Sequence, residues 1–381
     1  MAELREFKGV FYNQQDVELK DVACLPYDVI GREKREKYGS LSEKNFVELI
    51  LPEGAGDVKY ANSRRKLEEW LVDGTLHVDQ EPGIYVYRED FSHEGKLKSQ
   101  LGLVCLVKVE DFKEKIILPH EEIYHGPLED RYKLLKETQA DLEMIMGVYQ
   151  DEEDQVKGFY NQVFGENPIL DLIHEDDIRH RLWKISDEAS MESIKQVFND
   201  KKIIIADGHH RYTTALKYHV TQNGLGEPYM LMWLLDIDDT TVYPTHRMLA
   251  NIPDTENIKD RLEPYFEIAE VPNAGSLAGD VAVCSGRHCF GLVYDSKYLS
   301  LTLKDNEKVE EVLESQPPHW RDLNVCIAHS LIIHEVLGLP EDTDHVHFIK
   351  DPQKLFKYIE EGRYEVGLYM NPPSLKEVVE M

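Results

Sequence analysis

The chain has 381 residues, 42% of them hydrophobic, so it is long enough for two or three domains and can bury a substantial core. Its 72 Asp and Glu residues outnumber its 43 Lys and Arg residues, and the formal net charge of −29 disfavours nucleic acids and anionic membranes as partners. The first eight residues, Met1-Ala-Glu-Leu-Arg-Glu-Phe-Lys, are charged and lack an apolar core, so we expect no signal peptide, and no apolar run approaches the roughly 18 residues that a membrane helix needs. We therefore expect a cytoplasmic protein.

The cysteines are spread widely along the chain, at Cys24, Cys105, Cys284, Cys289 and Cys326. An odd number with no Cys-x-x-Cys pair indicates buried free thiols in a reducing cytosol and argues against a zinc site. Cys284 and Cys289 come nearest to forming a pair.

The first 150 residues alternate short strands with helices. Strands are predicted over residues 46–51, 83–87 and 101–109, and helices over residues 31–39, 60–73 and about 128–146. Gly74 follows the second helix in the position of a C-cap. The strand over 101–109 is apolar on both faces, which is typical of a central strand.

The pattern continues to the end of the chain. Helices are predicted over residues 158–165, 190–199, 255–265 and 324–337, and strands over residues 178–185, 229–235, 291–294 and 364–370. The fold class is therefore α/β, of a mixed α+β kind. We predict one domain over residues 1–250 and a C-terminal α/β domain over residues 251–381.

The segment from Lys201 to Leu216 carries the strongest functional signal. A β-branched run stops at Asp207-Gly208, and an amphipathic stretch then begins with His209, His210 and Arg211, which predicts a strand, a tight turn and a helix. Gly208 can adopt a positive φ, and Asp207 can cap the helix. The first N–H groups of the helix and the basic side chains would then face an anion, which we expect to be phosphate.

The sequence from Asp207 to Arg211 also fits a capped helix with one core histidine and one surface arginine. Adjacent histidines on a helix point about 100° apart, so His209 and His210 cannot comfortably chelate one metal ion. A metal-dependent protease is therefore not supported. An arrangement in which one histidine faces an anion while the other packs is more economical.

A second basic cluster, Thr245-His246-Arg247, follows the apolar strand over 229–235. Alone it could be a strand-edge histidine and a solvated arginine. Two such clusters at the ends of neighbouring strands could hold one polyanion. An acidic protein that binds a polyanion needs a locally positive electrostatic field at the site, and a divalent cation would be a further source of positive charge.

Two further pairs, Tyr27-Asp28 and His120-Glu121, are candidates for acid–base work, because loop ends beside central strands can fix a carboxylate near a proton. Each could equally be a loop or cap residue. Asp236 and Asp238 could hold a metal ion or form an ordinary acidic turn. The P-loop, the dinucleotide-binding glycine motif, the kinase catalytic loop and the nucleophile elbow are all absent from the sequence.

Four ordered motifs resemble a widespread family called DUF1015: Leu25-Pro-Tyr-Asp-Val-Ile30, His120-Glu121 before Asp130-Arg131, Ala206-Asp-Gly-His-His-Arg-Tyr212 and Pro244-Thr-His-Arg247. The central motif also resembles the Asp-Gly-His-His-Arg of the free-serine kinases, which have the ParB/sulfiredoxin fold. The resemblance implies a ParB/sulfiredoxin-like catalytic core with insertions. His209 stands where sulfiredoxins carry their reactive cysteine, which excludes sulfinic acid reduction.

By this resemblance the chain would phosphorylate the hydroxyl of free L-serine, an early step toward cysteine in amino-acid biosynthesis, with ATP, ADP or inorganic pyrophosphate as donor and Mg²⁺ as cofactor. The donor phosphates would be held by Gly208, His209, His210, Arg211, His246 and Arg247. The serine would be bound by Tyr27, His120 and Thr245. The catalytic residues would be Asp207, Asp28, Glu121 and His210, with Asp207 as base, metal ligand or helix cap.

Two other classes of function stay open at this point. The same loop could belong to a non-catalytic nucleotide- or phosphate-binding module of ParB-like kind, or to a metal-dependent phosphohydrolase that uses Asp236 and Asp238. Relatives continue beyond a segment like Asn371-Pro-Pro-Ser-Leu375 into a tail with Lys-Ser-Thr and aromatic-Pro-Lys motifs. This sequence stops at Met381, so we expect lower activity or a different donor if those motifs complete the phosphate site.

Overall fold

The chain folds into two compact units, residues 1–240 and residues 241–381. The structure, a computed structural model, describes residues 1–93, 96–119, 125–174, 177–221, 228–240, 244–284, 287–314, 316, 321–340, 345–349 and 351–371. Each unit combines helices with sheets, which confirms the predicted mixed α/β class. Among the described residues, no helix has both the length and the apolar character that crossing a membrane would require.

The strands of the first unit are β1 (Leu4–Arg5), β2 (Val10–Tyr12), β3 (Leu76–Val78), β4 (Ile84–His93), β5 (Lys96–Lys108), β6 (Ile117–Leu118), β7 (Ile145–Tyr149), β8 (Leu170–Ile173), β9 (Arg179–Ile185), β10 (Ile203–Asp207) and β11 (Tyr229–Asp236). Its helices are α1 (Leu19–Val22), α2 (Arg32–Leu41), α3 (Val47–Ile50), α4 (Val58–Val72), α5 (His125–Thr138), α6 (Lys157–Val163), α7 (Glu188–Phe198) and α8 (His209–Thr221). One turn of 3-10 helix, Tyr27–Val29, precedes α2.

The main sheet of the first unit contains nine strands within the described part of the chain, in the order β6-β10-β7-β11-β5-β4-β9-β8, with β1 paired to β5. β10 runs parallel to β6 and β11 runs parallel to β7, whereas the other neighbours are antiparallel. β5 lies between β4 and β11, as its two apolar faces predicted. One face of the sheet packs on α7 and α8 through residues such as Ile205, Phe198 and Tyr212, which form the core.

Two predictions for the first unit are wrong. Residues 46–51 were expected to form a strand but contain the helical turn α3, and the Val47 N–H at its start donates to Asn45 Oδ1 over 3.0 Å. A short apolar run does not distinguish a buried strand from a buried helical turn. The helix predicted to reach residue 146 ends at Thr138, Gln139 has a φ of 50°, and residues 145 and 146 already belong to β7.

The second unit has a six-stranded antiparallel sheet among its described residues, in the order β13-β15-β14-β17-β12-β16. The strands are β12 (His246–Leu249), β13 (Phe266–Val271), β14 (Cys289–Tyr294), β15 (Lys297–Leu303), β16 (Val346–Ile349) and β17 (Val366–Met370). The helices are α9 (Ile258–Leu262), α10 (Ala274–Ala282), α11 (Glu307–Leu313), α12 (Asn324–Ile327), a π-helix (Ala328–Val336) that continues α12, and α13 (Pro352–Glu360).

The cysteines differ in part from the prediction of free thiols. Cys284 and Cys289 are joined in a disulfide, with their Cα atoms 6.2 Å apart. The end of α10 and the start of β14 bring the two residues together, which their spacing in the sequence could not establish. Cys24, Cys105 and Cys326 form no disulfide, as predicted.

Candidate functional site

A register shift in β10 sets the direction of Asp207. Ile205 pairs with Gly147 of β7, but Asp207 pairs with Met146, so the regular alternation breaks between the two β10 residues. Without that bulge Asp207 would share the core face with Ile205, because side chains two apart on a strand point the same way. Bulges beside functional sites commonly re-aim a side chain in this manner. Asp207 is consequently directed to the face opposite the core.

Gly208 forms the turn between β10 and α8. Its φ is +93°, and a Cβ at this position would lie 3.0 Å from both Nε and Nη2 of Arg211. The first hydrogen bond of the helix runs from the Tyr212 N–H to the Gly208 carbonyl over 3.0 Å. The N–H groups of the preceding three residues therefore lie in the first turn, at the positive end of the helix dipole.

Replacing Gly208 with Ala is expected to lower the free energy of unfolding by about 1–3 kcal/mol, because the side chain would strain the positive φ and displace the Arg211 guanidinium. The matched control is Gly158→Ala, since Gly158 lies in α6 and a Cβ there meets nothing within 4 Å. The control should stabilise by about 0.5–1 kcal/mol. Urea unfolding gives the change in the free energy of unfolding for each variant. A change of the same sign in both variants would contradict this account of the turn.

Arg211 is the buried cation of the site, with only 8% of its side chain exposed. Its Nη2 donates to Asp207 Oδ2 over 2.5 Å, and its Nη1 donates to the Met144 carbonyl over 2.6 Å. Burial acts to lower the pKa of Arg211, but nearby groups raise it overall. These groups are, in order of effect, the carboxylates of Asp207, Glu143 and Asp28, followed by the phenol of Tyr27. The guanidinium therefore stays charged although it is buried.

The two histidines beside it differ in exposure: His209 is buried and His210 is partly buried. Tyr212, one turn into α8, fixes the helix to the strand end after β5, because its hydroxyl donates to the Glu110 carbonyl over 2.9 Å and accepts from the Glu110 N–H over 2.8 Å. The start of α8 is thus held rigidly.

The turn at Tyr27–Val29 reaches the same place. The Tyr27 N–H donates to Glu143 Oε1 over 3.0 Å, and the Tyr27 ring lies 4.2 Å below the guanidinium of Arg131. Burial raises the pKa of the Tyr27 phenol to about 12, and the neighbouring Asp28 adds to the effect. Asp28 itself is exposed. The structure thus brings the predicted Tyr27 and Asp28 together with the Asp207–Arg211 segment.

Arg131 of α5 is 7% exposed and holds several elements together. Its Nη1 donates to the Ile50 carbonyl over 2.9 Å, its Nε donates to Asp130 Oδ2 over 3.0 Å, and its Nη1 lies 3.9 Å from Glu143 Oε2. Burial acts to raise the pKa of Asp130, but Lys59, Arg131 and Tyr60 hold it at about 2.

Asp141 lies in the loop between α5 and β7, two residues before Glu143. It is partly buried and accepts from the Leu231 N–H over 2.9 Å. Burial raises the pKa of Asp141 to about 6, against a lowering contribution from that hydrogen bond.

Asp141 also gives a pH-dependent stability. Because its pKa is higher in the folded protein than the value of about 3.9 in the unfolded chain, the folded state binds more protons between about pH 4 and pH 6, and stability falls as pH rises through this window. We expect Asp141→Asn to be about 1–2 kcal/mol more stable than the wild type at pH 7.5. The stabilities of the wild type and Asp141→Asn should become equal near pH 4. Thermal unfolding of both proteins at pH 4 and pH 7.5 checks this, and a stability difference that did not change with pH would refute it.

The other predicted residues are placed as follows. His120 and Glu121 lie outside the described residues. Thr245, His246 and Arg247 belong to the second unit, where β12 contains the last two. Their roles stay predictions.

His246 is fully buried and stacks on Tyr369, with ring centroids 4.5 Å apart. Its Nδ1 accepts from the Met370 N–H over 3.1 Å. Burial and the adjacent Arg247 lower the pKa of His246 to about 4, so the ring is neutral at pH 7. Arg247, 5% exposed, donates from Nε to His329 Nε2 over 3.1 Å and lies over the Phe348 ring. Arg247 is therefore the charged member of this pair.

The carboxylates after β11 form a capped turn. Asp236 Oδ1 accepts from the Asp238 N–H over 3.2 Å, and burial raises the pKa of Asp236. Within the described ranges, no group of three or more His, Cys, Asp and Glu side chains is arranged to hold a metal ion. Mg²⁺ in phosphoryl-transfer sites commonly needs only one or two carboxylates besides the substrate phosphates. The side chain of Asp207 is 46% exposed and is paired with Arg211.

Sequence reasoning missed Asp141 and Glu143. Both were assigned to the interior of a long helix, whereas they lie in the loop before β7 that faces Arg211 and Leu231. The signal that could have located them is the change from helical spacing to the strand-like run of β7, which starts two residues after Glu143.

The fold and this site define an α/β protein with a strand–turn–helix segment whose buried arginine, Arg211, lies among carboxylates. The chain belongs to the DUF1015 family, because the family described as "Protein of unknown function (DUF1015)" matches residues 4–326. No curated protein gives a significant match.

Among solved structures, the chain is similar to a conserved hypothetical protein from Pyrococcus furiosus, with a TM-score of 0.37, 15% identity, and coverage of 73% of this chain and 83% of that one. It is likewise similar to a free serine kinase in complex with AMP, and to a mutant free serine kinase in complex with ADP, each with a TM-score of 0.37, 16% identity, and coverage of 73% of this chain and 80% of that one.

Proposed function

We propose that the chain is a phosphotransferase that phosphorylates the hydroxyl of free L-serine to give O-phosphoserine. The observation that carries the proposal is the bulge in β10, which directs Asp207 away from the core and places it beside the buried Arg211 at the start of α8. A carboxylate and a fixed cation at a helix N-terminus suit a reaction that needs positioning and charge neutralisation more than covalent chemistry.

In this proposal the first turn of α8, with His209, His210 and Arg211, holds the donor phosphates. The serine Oγ forms a bond to the terminal phosphorus of the donor while the bond to the leaving phosphate oxygen breaks, and the hydroxyl proton passes to a carboxylate. Asp28, Asp207 and Glu121 are the carboxylates proposed for that proton. Bound Mg²⁺ would neutralise charge on the donor oxygens, and Asp207 is the residue proposed to hold it.

The second candidate is a module that binds a nucleotide or phosphate without turnover. It is favoured by the direct contact between Asp207 and Arg211, since a guanidinium already paired with a carboxylate has less charge to offer a transferring group. A phosphohydrolase remains the third, although the hydrogen bond from the Asp238 N–H to Asp236 supports a turn-capping role there.

The test is to incubate the purified protein with Mg²⁺, L-serine and, in turn, ATP, ADP or pyrophosphate, and to follow O-phosphoserine by phosphorus NMR and mass spectrometry. The expected result is O-phosphoserine with at least one donor. Tight nucleotide binding without product from any donor would overturn the kinase in favour of the binding module. Phosphate release that does not depend on serine would favour the phosphohydrolase.

A further inference from the structure

Glu143 is a buried carboxylate at the point where three elements of the first unit meet. Its Oε1 accepts the N–H of Tyr27 from the turn before α2 over 3.0 Å. Its Oε2 lies 3.9 Å from Nη1 of Arg131 in α5, and its side chain is 13% exposed. Arg211 of α8 is its strongest electrostatic partner. The carboxylate therefore links the turn to both buried arginines.

The groups around Glu143 act on its ionisation in opposite directions. Burial raises its pKa, while Arg211, the Tyr27 N–H and Arg131 favour the ionised form, and the nearby Asp28 disfavours it. Glu143 also acts on Cys24, which precedes the turn. Burial raises the pKa of the Cys24 thiol to about 12, and the negative charge of Glu143 contributes to this increase. A buried carboxylate surrounded in this way is held in one position by its partners.

We propose that Glu143 is a positioning residue that holds the Tyr27–Asp28 turn against Arg211 and so sets where the acceptor hydroxyl meets the donor phosphate. This inference rests on the proposed function for its catalytic meaning. The Tyr27 ring is held on one side by Arg131, and the Tyr27 backbone is held by Glu143, so the turn has two anchors. Asp28 is the next residue and is exposed, so its position depends on these anchors.

The consequence differs between the two substrates. The donor phosphates are assigned to the first turn of α8, whose position is fixed independently by the hydrogen bonds between Tyr212 and Glu110. Arg211 is also held by Asp207 and the Met144 carbonyl, so loss of Glu143 should disturb the acceptor side much more than donor binding. In kinetic terms, kcat should fall and the KM for serine should rise, whereas the KM for the donor should stay within about twofold.

The experiment compares Glu143→Leu, which removes both the charge and the acceptor, with Glu143→Gln, which keeps an acceptor oxygen of the same shape. Glu137→Gln is the matched control, because Glu137 lies on α5 with 39% of its side chain exposed. The first readout is amide hydrogen exchange of the segment around Tyr27 in the free protein, which does not depend on any activity. The second readout is the kinetics of O-phosphoserine formation.

Exchange of the Tyr27 N–H is expected to speed up by about fivefold or more in Glu143→Leu, to change less in Glu143→Gln, and to stay unchanged in Glu137→Gln. We expect kcat to fall by about tenfold or more in Glu143→Leu, with partial rescue in Glu143→Gln. Unchanged exchange in Glu143→Leu would overturn the anchoring role. Faster exchange with unchanged kinetics would overturn its catalytic meaning while leaving the kinase intact.

The two proposals fail in different ways. If the wild type transfers phosphate from no donor, the proposed function fails, and the exchange measurement alone still decides whether Glu143 holds the turn. If Glu143→Leu does not fold, as judged by circular dichroism, the isosteric Glu143→Gln decides: exchange at Tyr27 equal to that of the wild type, together with equal serine kinetics, would overturn the role of the charge.

Discussion

Asp207→Asn is expected to reduce kcat for O-phosphoserine formation by about two to four orders of magnitude, the range that a positioned catalytic carboxylate contributes. The amide preserves the shape of the side chain but cannot take a proton, and it binds a cation poorly. The substitution should change the free energy of unfolding little, because the side chain is 46% exposed and Arg211 keeps its hydrogen bond to the Met144 carbonyl. The measurement is the initial rate with each donor at saturating serine.

The matched control for this prediction is Asp200→Asn, since Asp200 is an exposed residue in the loop just before β10. It should leave the rate unchanged. Full activity in Asp207→Asn would show that the site lies elsewhere. A loss of activity that came with an equal loss of stability would assign Asp207 a structural role instead.

The strand–turn–helix of the site could be predicted from the sequence because its signals are local. The β-branched run, Gly208 and the amphipathic helix each act over a few residues, and the structure has β10, a positive φ and α8 in those places. The bulge that directs Asp207 could not be predicted, because it is a property of the pairing between β10 and β7. Strand register is decided by tertiary packing.

Glu143 was hidden for a related reason. Residues 128–146 have enough helical spacing to suggest one helix, and the chain instead turns at Gln139, with a φ of 50°, to pair β7 with β10 and β11. That pairing places Glu143 beside Tyr27, 116 residues earlier in the chain. A contact over such a separation leaves no periodic trace in a single sequence.

The second unit shows how burial changes the meaning of a motif. Thr245-His246-Arg247 suggested two adjacent positive groups, but His246 is buried with its pKa at about 4. Only a neutral imidazole can accept the Met370 N–H at Nδ1. The positive charge predicted for this segment therefore comes from Arg247, and the sequence carries no sign of the difference.

Arg131→Met is expected to lower the free energy of unfolding of the first unit by about 3 kcal/mol, near the lower end of the range for breaking a buried ion pair. Methionine fills much of the volume but leaves the Ile50 carbonyl without its donor and removes one of the two buried cations that act on the Glu143 carboxylate. Asp130 keeps its hydrogen bonds from Lys59 over 2.6 Å and Tyr60 over 2.8 Å, which limits the loss. Urea unfolding followed by circular dichroism gives the free energies.

Arg64→Met is the control, because Arg64 is 53% exposed and its ion pairs with Glu68 and Glu137 are both 3.6 Å long. Exposed pairs of this kind contribute about 0–1 kcal/mol, so an equal loss of stability in both variants would contradict the structural role assigned to Arg131.

The pH dependence of stability gives a second check on Arg131→Met. The pKa of Asp130 is held at about 2, below its unfolded value, so the stability from its pairing is present above about pH 4 and is lost as pH falls toward 2. The difference between the wild type and Arg131→Met should therefore narrow over that interval, whereas a purely steric effect of methionine would leave it constant.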